Sequence, residues 1–263
     1  MNVDGIELYY EYHEGPGTPR VYLNGIAMSV SHWKPLRSFL SPAGELLHDF
    51  KDQLRSGRCS EGYDMQSHAD ELAKLFDALS IDSAYLIGTS YGAEVALLFA
   101  LAYPERCAGL VVIDGVSESD AQLKAAVDSW KVAALSDPRV FYRMLIPWNY
   151  SAAYIEANLD TLLEREELVT TLPRDFFEGF ARLCDAFLEL DMTARLEAIS
   201  CPTLVLLGEH DILKTPAYAR LIHERIAGSQ FEMIPGAGHA VVIEKPEAVA
   251  AKIEAFLGSI QRG

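Results

Sequence analysis

An apolar run, Ser83–Gly88, leads directly into Gly88-Thr89-Ser90-Tyr91-Gly92. On a tight strand-to-helix turn, a serine in this G-x-S-x-G spacing holds its Oγ clear of the sheet. The glycines let neighbouring backbone approach, and the next N–H points toward where an oxyanion would form. By itself the pattern also fits a structural turn rich in small residues, so its partners matter. A serine hydroxyl is a poor nucleophile until a nearby base takes its proton. His239 stands in Pro235-Gly236-Ala237-Gly238-His239, a flexible loop able to bring an imidazole over a sheet edge. Asp211 stands in Gly208-Glu209-His210-Asp211 and could orient that imidazole. The chemistry these three could perform is acyl transfer through a serine.

The elements that would position them follow from hydrophobic patterning. Strands are predicted at Gly5–His13, Arg20–Leu23, Glu45–Phe50, Ser83–Gly88, Leu110–Asp114, Thr203–Leu207 and Gln230–Ile234. Helices are predicted at Ser31–Leu40, Asp64–Leu79, Tyr91–Tyr103, Tyr218–Ile226 and Glu247–Leu257. Near-continuous apolar strands alternating with helices indicate an α/β fold with a mostly parallel central sheet covered on both faces. Ser90, Asp211 and His239 each follow the C-terminal end of such a strand, the edge where sites assemble in open α/β sheets. From Ser117 to Leu196 the pattern changes to helix-like stretches at Ala121–Leu135, Ala152–Leu168 and Arg174–Leu190, punctuated by Pro138, Pro147 and Pro173. One α/β core, residues 1–116 and 197–263, is therefore expected to carry a helical insertion at 117–196.

With these residues in hand, the chain resembles the α/β-hydrolase fold superfamily over nearly its whole length. Gly88–Gly92 resembles the family's nucleophile elbow, Ile199–Asp211 the approach to its acid loop, and Gly236–Pro246 its histidine loop. The insertion after Asp114 matches the position of the family's cap, or lid. The resemblance implies Ser90 as nucleophile, His239 as general base and then acid, and Asp211 as the residue that orients the histidine. It implies an oxyanion hole made by the backbone N–H of Tyr91 and one from the loop Asn24–Ala27, expected at Ile26 with Ala27 next. A serine at the elbow favours hydrolysis of a carboxylic ester or thioester over the carboxylate-based chemistries of the fold. The same resemblance leaves other readings: a lactone or C–C bond hydrolase, an acyltransferase moving a 3-hydroxyacyl chain from a carrier thioester, or a ligand-binding homologue without catalysis.

The chain departs from the family pattern twice. Asn24-Gly25 stands where members often carry His-Gly, which puts the hydrogen bonding of the oxyanion loop in question. Asp49–Ser56 (DFKDQLRS) lacks the glycines usual there, and Asp52 and Arg55 are expected to pair on the surface. Asp114, at the end of the strand before the insertion, is an alternative acid. His210 lacks a glycine-rich loop, Glu209 should point elsewhere, and His13, His32, His48, His68 and His223 read as surface or helix residues. Met28, Trp33, Phe141, Trp148 and Val241 are candidate pocket walls, with Tyr91, Tyr142, Tyr150, Phe176 and Phe177 beside them. An apolar acyl pocket follows from these types.

Composition narrows the partners. Twenty-two Lys and Arg face 38 Asp and Glu, a net charge of −16 over 263 residues. Phosphate backbones and anionic membranes are disfavoured by that sign. Glu164, Glu166 and Glu167 make the insertion acidic, so an anionic substrate would need a basic recess, for which Arg139, Arg143 and Lys214 are the options. The four cysteines, Cys59, Cys107, Cys184 and Cys201, have no metal-ligand spacing, and no HExxH occurs, so neither metal nor cofactor is expected. The N-terminus has no signal-peptide pattern and no apolar run approaches a membrane span. A cytoplasmic enzyme acting on a small acyl substrate is the expectation.

Overall fold

A computed structural model describes residues 1–260. A short antiparallel ribbon, β1 (Asn2–Val3) and β2 (Ile6–Glu7), precedes the main sheet. The seven strands of that sheet are β3 (Tyr10–His13), β4 (Arg20–Leu23), β5 (Glu45–His48), β6 (Ala84–Thr89), β7 (Cys107–Ile113), β8 (Thr203–Gly208) and β9 (Gln230–Ile234). Their order is β3-β5-β4-β6-β7-β8-β9. Only β3 runs antiparallel, against β5, and all other neighbours are parallel. The segment Gly5–His13 is thus two strand pieces rather than one, with Asp4 and Gly5 both at positive φ in the ribbon's turn.

The strand side chains alternate between two buried layers. Val21, Leu23, Leu86 and Val112 face one, and Tyr22, Ile87, Val111 and Ile113 face the other. Both faces being dry explains why these strands read as apolar runs. Helices α2 (Gln66–Leu79), α3 (Tyr91–Ala102) and α9 (Pro216–Arg225) cover the first layer. The second is covered by α1 (Lys34–Arg37) with its preceding 3-10 turn Val30–Trp33, by α10 (Val241–Glu244) and by α11 (Pro246–Ile260).

Between β7 and β8 the chain forms α4 (Ala121–Ser136), α5 (Pro138–Asn149), α6 (Ala152–Ala157), α7 (Leu159–Thr170) and α8 (Arg174–Leu188). The segment leaves and rejoins the core side by side: Met192 N–H donates to Ser117 O at 2.9 Å and Ser119 N–H to Leu190 O at 2.9 Å. Helix α5 was not among the predicted elements. Pro138 is its first residue, where the missing N–H costs nothing, and Asp137 caps it by accepting from the N–H groups of Arg139 and Val140. The stretch Ala152–Leu168 is two helices, broken at Asn158.

The expected surface pair of Asp52 and Arg55 does not form. Asp52 is buried and takes a bidentate grip from Arg182 of α8, with Arg182 Nε at 2.9 Å and Nη2 at 2.6 Å. A buried carboxylate needs such a partner, and this one ties the helical segment to the core. Arg55 instead reaches Tyr9 and Glu11. His48 and His68 are also core residues. Burial pushes the His48 imidazole down to about 4 and lowers that of His68, so both are neutral side chains packed among aromatics.

Candidate active site

The elbow is a tightly packed turn. Ser90 sits between β6 and α3 at φ 52°, ψ −119°. A non-glycine residue there is strained and persists only where its surroundings fix it. Those surroundings are backbone: Ser90 N–H donates to Ile113 O at 2.8 Å, and Ser90 O accepts from Ala93 N–H at 2.9 Å. A Cβ on Gly88 would lie 2.2 Å from Gly92 O, and one on Gly92 would lie 2.0 Å from Leu23 O. The two glycines therefore let β6, α3 and β4 approach at a distance no other residue permits.

His239 reaches the elbow from the loop after β9. Its Nε2 lies 2.9 Å from Ser90 Oγ, and its Nδ1 lies 2.7 Å from Asp211 Oδ2. Asp211 follows β8 and is buried. Its other oxygen, Oδ1, accepts from the backbone N–H groups of Leu213 and Lys214, both at 2.8 Å. With Oδ1 fixed in this way, Oδ2 is directed at the imidazole. The structure thus brings Ser90, His239 and Asp211 into one hydrogen-bonded line. In that order a carboxylate, an imidazole and a hydroxyl can pass a proton from the hydroxyl to the ring.

Asp114 lies close by without joining the line. It is buried at the end of β7 with φ 48°, and its Oδ1 accepts from Gly208 N–H at 2.9 Å. Its Oδ2 has no hydrogen-bond partner among the described residues. Burial, and then the neighbouring Asp211 carboxylate, push the Asp114 carboxyl well above the usual range, so it is held as the neutral acid. Asp114, Asp211 and His239 offer ligand atoms within 4.8 Å of one another. The two His239 nitrogens are already engaged with Asp211 and Ser90, so hydrogen bonding accounts for the cluster. His210 and Glu209 are exposed and stand outside it, Glu209 accepting instead from Gly236 N–H.

The loop after β4 faces the elbow. Neither Ile26 N–H nor Tyr91 N–H has an acceptor among the described residues. The loop is held by polar side chains that the departures Asn24 and Asp49–Ser56 supply. Buried Asn24 spreads its Nδ2 donors over His48 O, Asp49 Oδ1 and Gln53 Oε1 at 3.0–3.1 Å. Its Oδ1 accepts from Trp33 Nε1 at 2.8 Å. Gln53 Nε2 then donates to Gly25 O at 2.8 Å and to Ile26 O at 3.3 Å. The asparagine in place of histidine is the hub of this network, and the glycine-poor stretch delivers the glutamine that clamps the loop.

A second buried network braces the acid loop. Lys214 Nζ donates to both carboxylate oxygens of Glu94 at 2.8 Å, and Glu94 Oε1 also accepts from Val116 N–H. Lys214 therefore caps Asp211 with its backbone and grips α3 with its side chain.

Ser90 and His239 open into a cavity of about 470 Å³ between the core and the helical segment. Met28 and Phe141 line it, with Tyr142, Tyr150 and Phe176. Five expected walls lie elsewhere: Trp33, Trp148, Val241, Tyr91, which is buried in the first core layer, and Phe177, which packs behind Phe141 and Phe176. Trp33 and Val241 are fully buried in the second core layer, Trp33 because its indole N–H is needed by Asn24. Trp148 packs edge-on to Trp130, and it is Trp130 that reaches the cavity. His32 and Arg165 also line it and were not anticipated as pocket residues. Arg139, Arg143 and Lys214 provide no free cation: Glu166 and Glu167 engage the arginines, and Glu94 the lysine.

A sheet of this order with a serine elbow, an acid after β8 and a histidine after β9 defines an α/β hydrolase. The alpha/beta hydrolase family model matches residues 21–252, and the chain belongs to that family as a hydrolase of the fold. The relative "Putative carbamate hydrolase RutD" from Caulobacter sp. (strain K31) is 30% identical over 264 residues, covering 97% of this chain and 96% of the relative. MGS-M2, an alpha/beta hydrolase enzyme from a Medee basin deep-sea metagenome library, superposes with a TM-score of 0.92 at 30% identity, over 97% of this chain and 96% of that one. A thermophilic esterase from Thermogutta terrifontis gives 0.85 at 28% identity, over 98% and 96%. No helix among the described residues is long and apolar enough to cross a membrane.

Proposed function

We propose that the protein is a serine hydrolase that cleaves a carboxylic ester or thioester through an acyl-enzyme on Ser90. The supporting observation is the line Asp211–His239–Ser90, with contacts of 2.7 and 2.9 Å, opening into a largely apolar cavity. Ser90 Oγ attacks the substrate carbonyl carbon while His239 Nε2 takes its proton. The carbonyl oxygen becomes an oxyanion and accepts from Tyr91 N–H and Ile26 N–H. Each such donor contributes about 2.7–4 kcal/mol in the transition state. Collapse breaks the bond to the leaving oxygen or sulfur, and His239 returns the proton to it. Water, deprotonated by His239, then attacks the acyl-enzyme and releases the acid and Ser90. Asp211 holds the ring in place and stabilises the imidazolium.

The name of the Caulobacter relative makes a carbamate a second reading, since the same attack on a carbamate carbonyl needs the same groups. A panel of 4-nitrophenyl esters, acyl thioesters and carbamates tests both. Ester or thioester turnover that is lost in Ser90→Ala is expected. Equal turnover in Ser90→Ala overturns the acyl-enzyme, and turnover confined to carbamates favours the second reading.

A further inference from the structure

Among the residues lining the cavity there is no aspartate or glutamate, and one arginine, Arg165. Arg165 belongs to α7, inside the run Glu164-Arg165-Glu166-Glu167. Successive helical residues diverge by about 100°. Glu166 and Glu167 accordingly engage Arg139 and Arg143, while Arg165 turns to the cavity. Among the described residues Arg165 has no carboxylate within ion-pair distance. It makes a long hydrogen bond, from Nη1 to Tyr150 Oη at 3.3 Å. The neighbouring Tyr142 also lines the cavity, and its buried hydroxyl has no partner among the described residues. Arg165 acts electrostatically on Tyr142, Tyr150 and His32, which places all four in one corner. His32 adds no second cation there, because burial, and then Arg165 itself, hold its imidazole low.

A guanidinium facing an apolar cavity without an anion gives up solvation and gains little in return. A carboxylate is the partner whose geometry it matches, through two parallel N–H donors. Arg165 hydrogen-bonds to neither Ser90 nor His239, so it is a separate polar group of the cavity wall, outside the Asp211–His239–Ser90 line. We propose that Arg165, with the Tyr150 and Tyr142 hydroxyls, forms a carboxylate-binding corner that selects esters, thioesters or lactones bearing a free carboxylate. This rests on the serine-hydrolase reading of the same cavity. It also supplies the local basic recess that an anionic substrate needs in a chain of net charge −16.

The test compares mono-(4-nitrophenyl) adipate with 4-nitrophenyl hexanoate, which has the same acyl length and no carboxylate. Wild type should prefer the adipate ester by tenfold or more in kcat/KM, mainly through KM. Arg165→Met should remove that preference by cutting kcat/KM for the adipate ester at least tenfold more than for the hexanoate ester, and Arg165→Lys should recover part of it. These magnitudes are those of a charge-assisted hydrogen-bond pair, about tenfold to hundredfold. No preference in wild type, or equal loss of both esters in Arg165→Met, overturns the proposal. Calorimetry of adipate with Ser90→Ala separates the two claims. If neither ester is cleaved, the serine-hydrolase reading fails, and adipate binding that disappears in Ser90→Ala/Arg165→Met still supports the corner. Absence of adipate binding to Ser90→Ala overturns it.

Discussion

Asp211 and Asp114 show how one kind of side chain meets two different surroundings within one cluster. Asp211 has two backbone N–H donors and an imidazole to receive its charge. Asp114 has one N–H donor and a buried, unpartnered oxygen. Asp211→Asn should lower kcat by about 10³–10⁴-fold, because the amide favours the wrong histidine tautomer. Asp114→Asn should leave kcat within a few-fold, and the reverse outcome would make Asp114 the orienting acid. Asp114 also carries a pH signature. Its folded state holds a proton that the unfolded chain releases above about 3.8, so its contribution to stability is full below that value and lost as pH rises. The melting temperature of Asp114→Asn relative to wild type should therefore climb from pH 4 to pH 7, and a difference independent of pH would contradict the neutral acid. Ser90, Asp211 and His239 were legible in the sequence because each follows an apolar strand in a short, glycine-marked loop. Arg165 was not, because it sits in a run of glutamates that reads as a solvated acidic face, and only the helix's rotation shows which way it turns.

At the scale of elements, the loop after β4 is held by its Asn24 hub and clamped from another loop by Gln53. Gln53 Nε2 holds the carbonyls of Gly25 and Ile26, and so sets where the intervening N–H groups point. Misplacing an oxyanion donor by about 1 Å costs on the order of 10²-fold in rate. Gln53→Ala should lower kcat by about tenfold to hundredfold, with KM changing by less than threefold. A variant of unchanged kcat would show that the loop holds its shape without the clamp. The buried strands and the long amphipathic helices were readable because their periodicity survives without tertiary context. Helix α5 was not, since Pro138 and Pro147 read as breaks although the first starts the helix beneath an aspartate cap. The pairing of Asp52 with Arg182, 130 residues apart, is set by how α8 packs and leaves no local mark in the sequence.

Across the whole molecule, the Glu94–Lys214 pair joins segments that lie on either side of the helical insertion. Both residues are buried, and Lys214 also caps the acid loop. Removing one partner of a buried ion pair costs about 3–5 kcal/mol, since the other charge stays behind. Lys214→Met should lose stability of that order by denaturant unfolding. Burial already pushes the Glu94 carboxyl up against the pull of Lys214. Without the lysine Glu94 escapes by taking up a proton, so the deficit should be smaller at pH 5 than at pH 8. A loss that is small and independent of pH would mean that the pair contributes little to the fold. The net charge of −16 fits the same picture. Acidic side chains pair with the arginines of α5, while among the described residues the cavity wall carries no carboxylate and one guanidinium without an ion-pair partner.

The most direct test of the central claim is intact-protein mass spectrometry after reaction with a fluorophosphonate, followed by peptide mapping. A single adduct on the peptide containing Ser90 is expected, absent in Ser90→Ala and formed far more slowly in His239→Ala. An adduct that persists in Ser90→Ala, or none on protein that is hydrolysing esters, would contradict it.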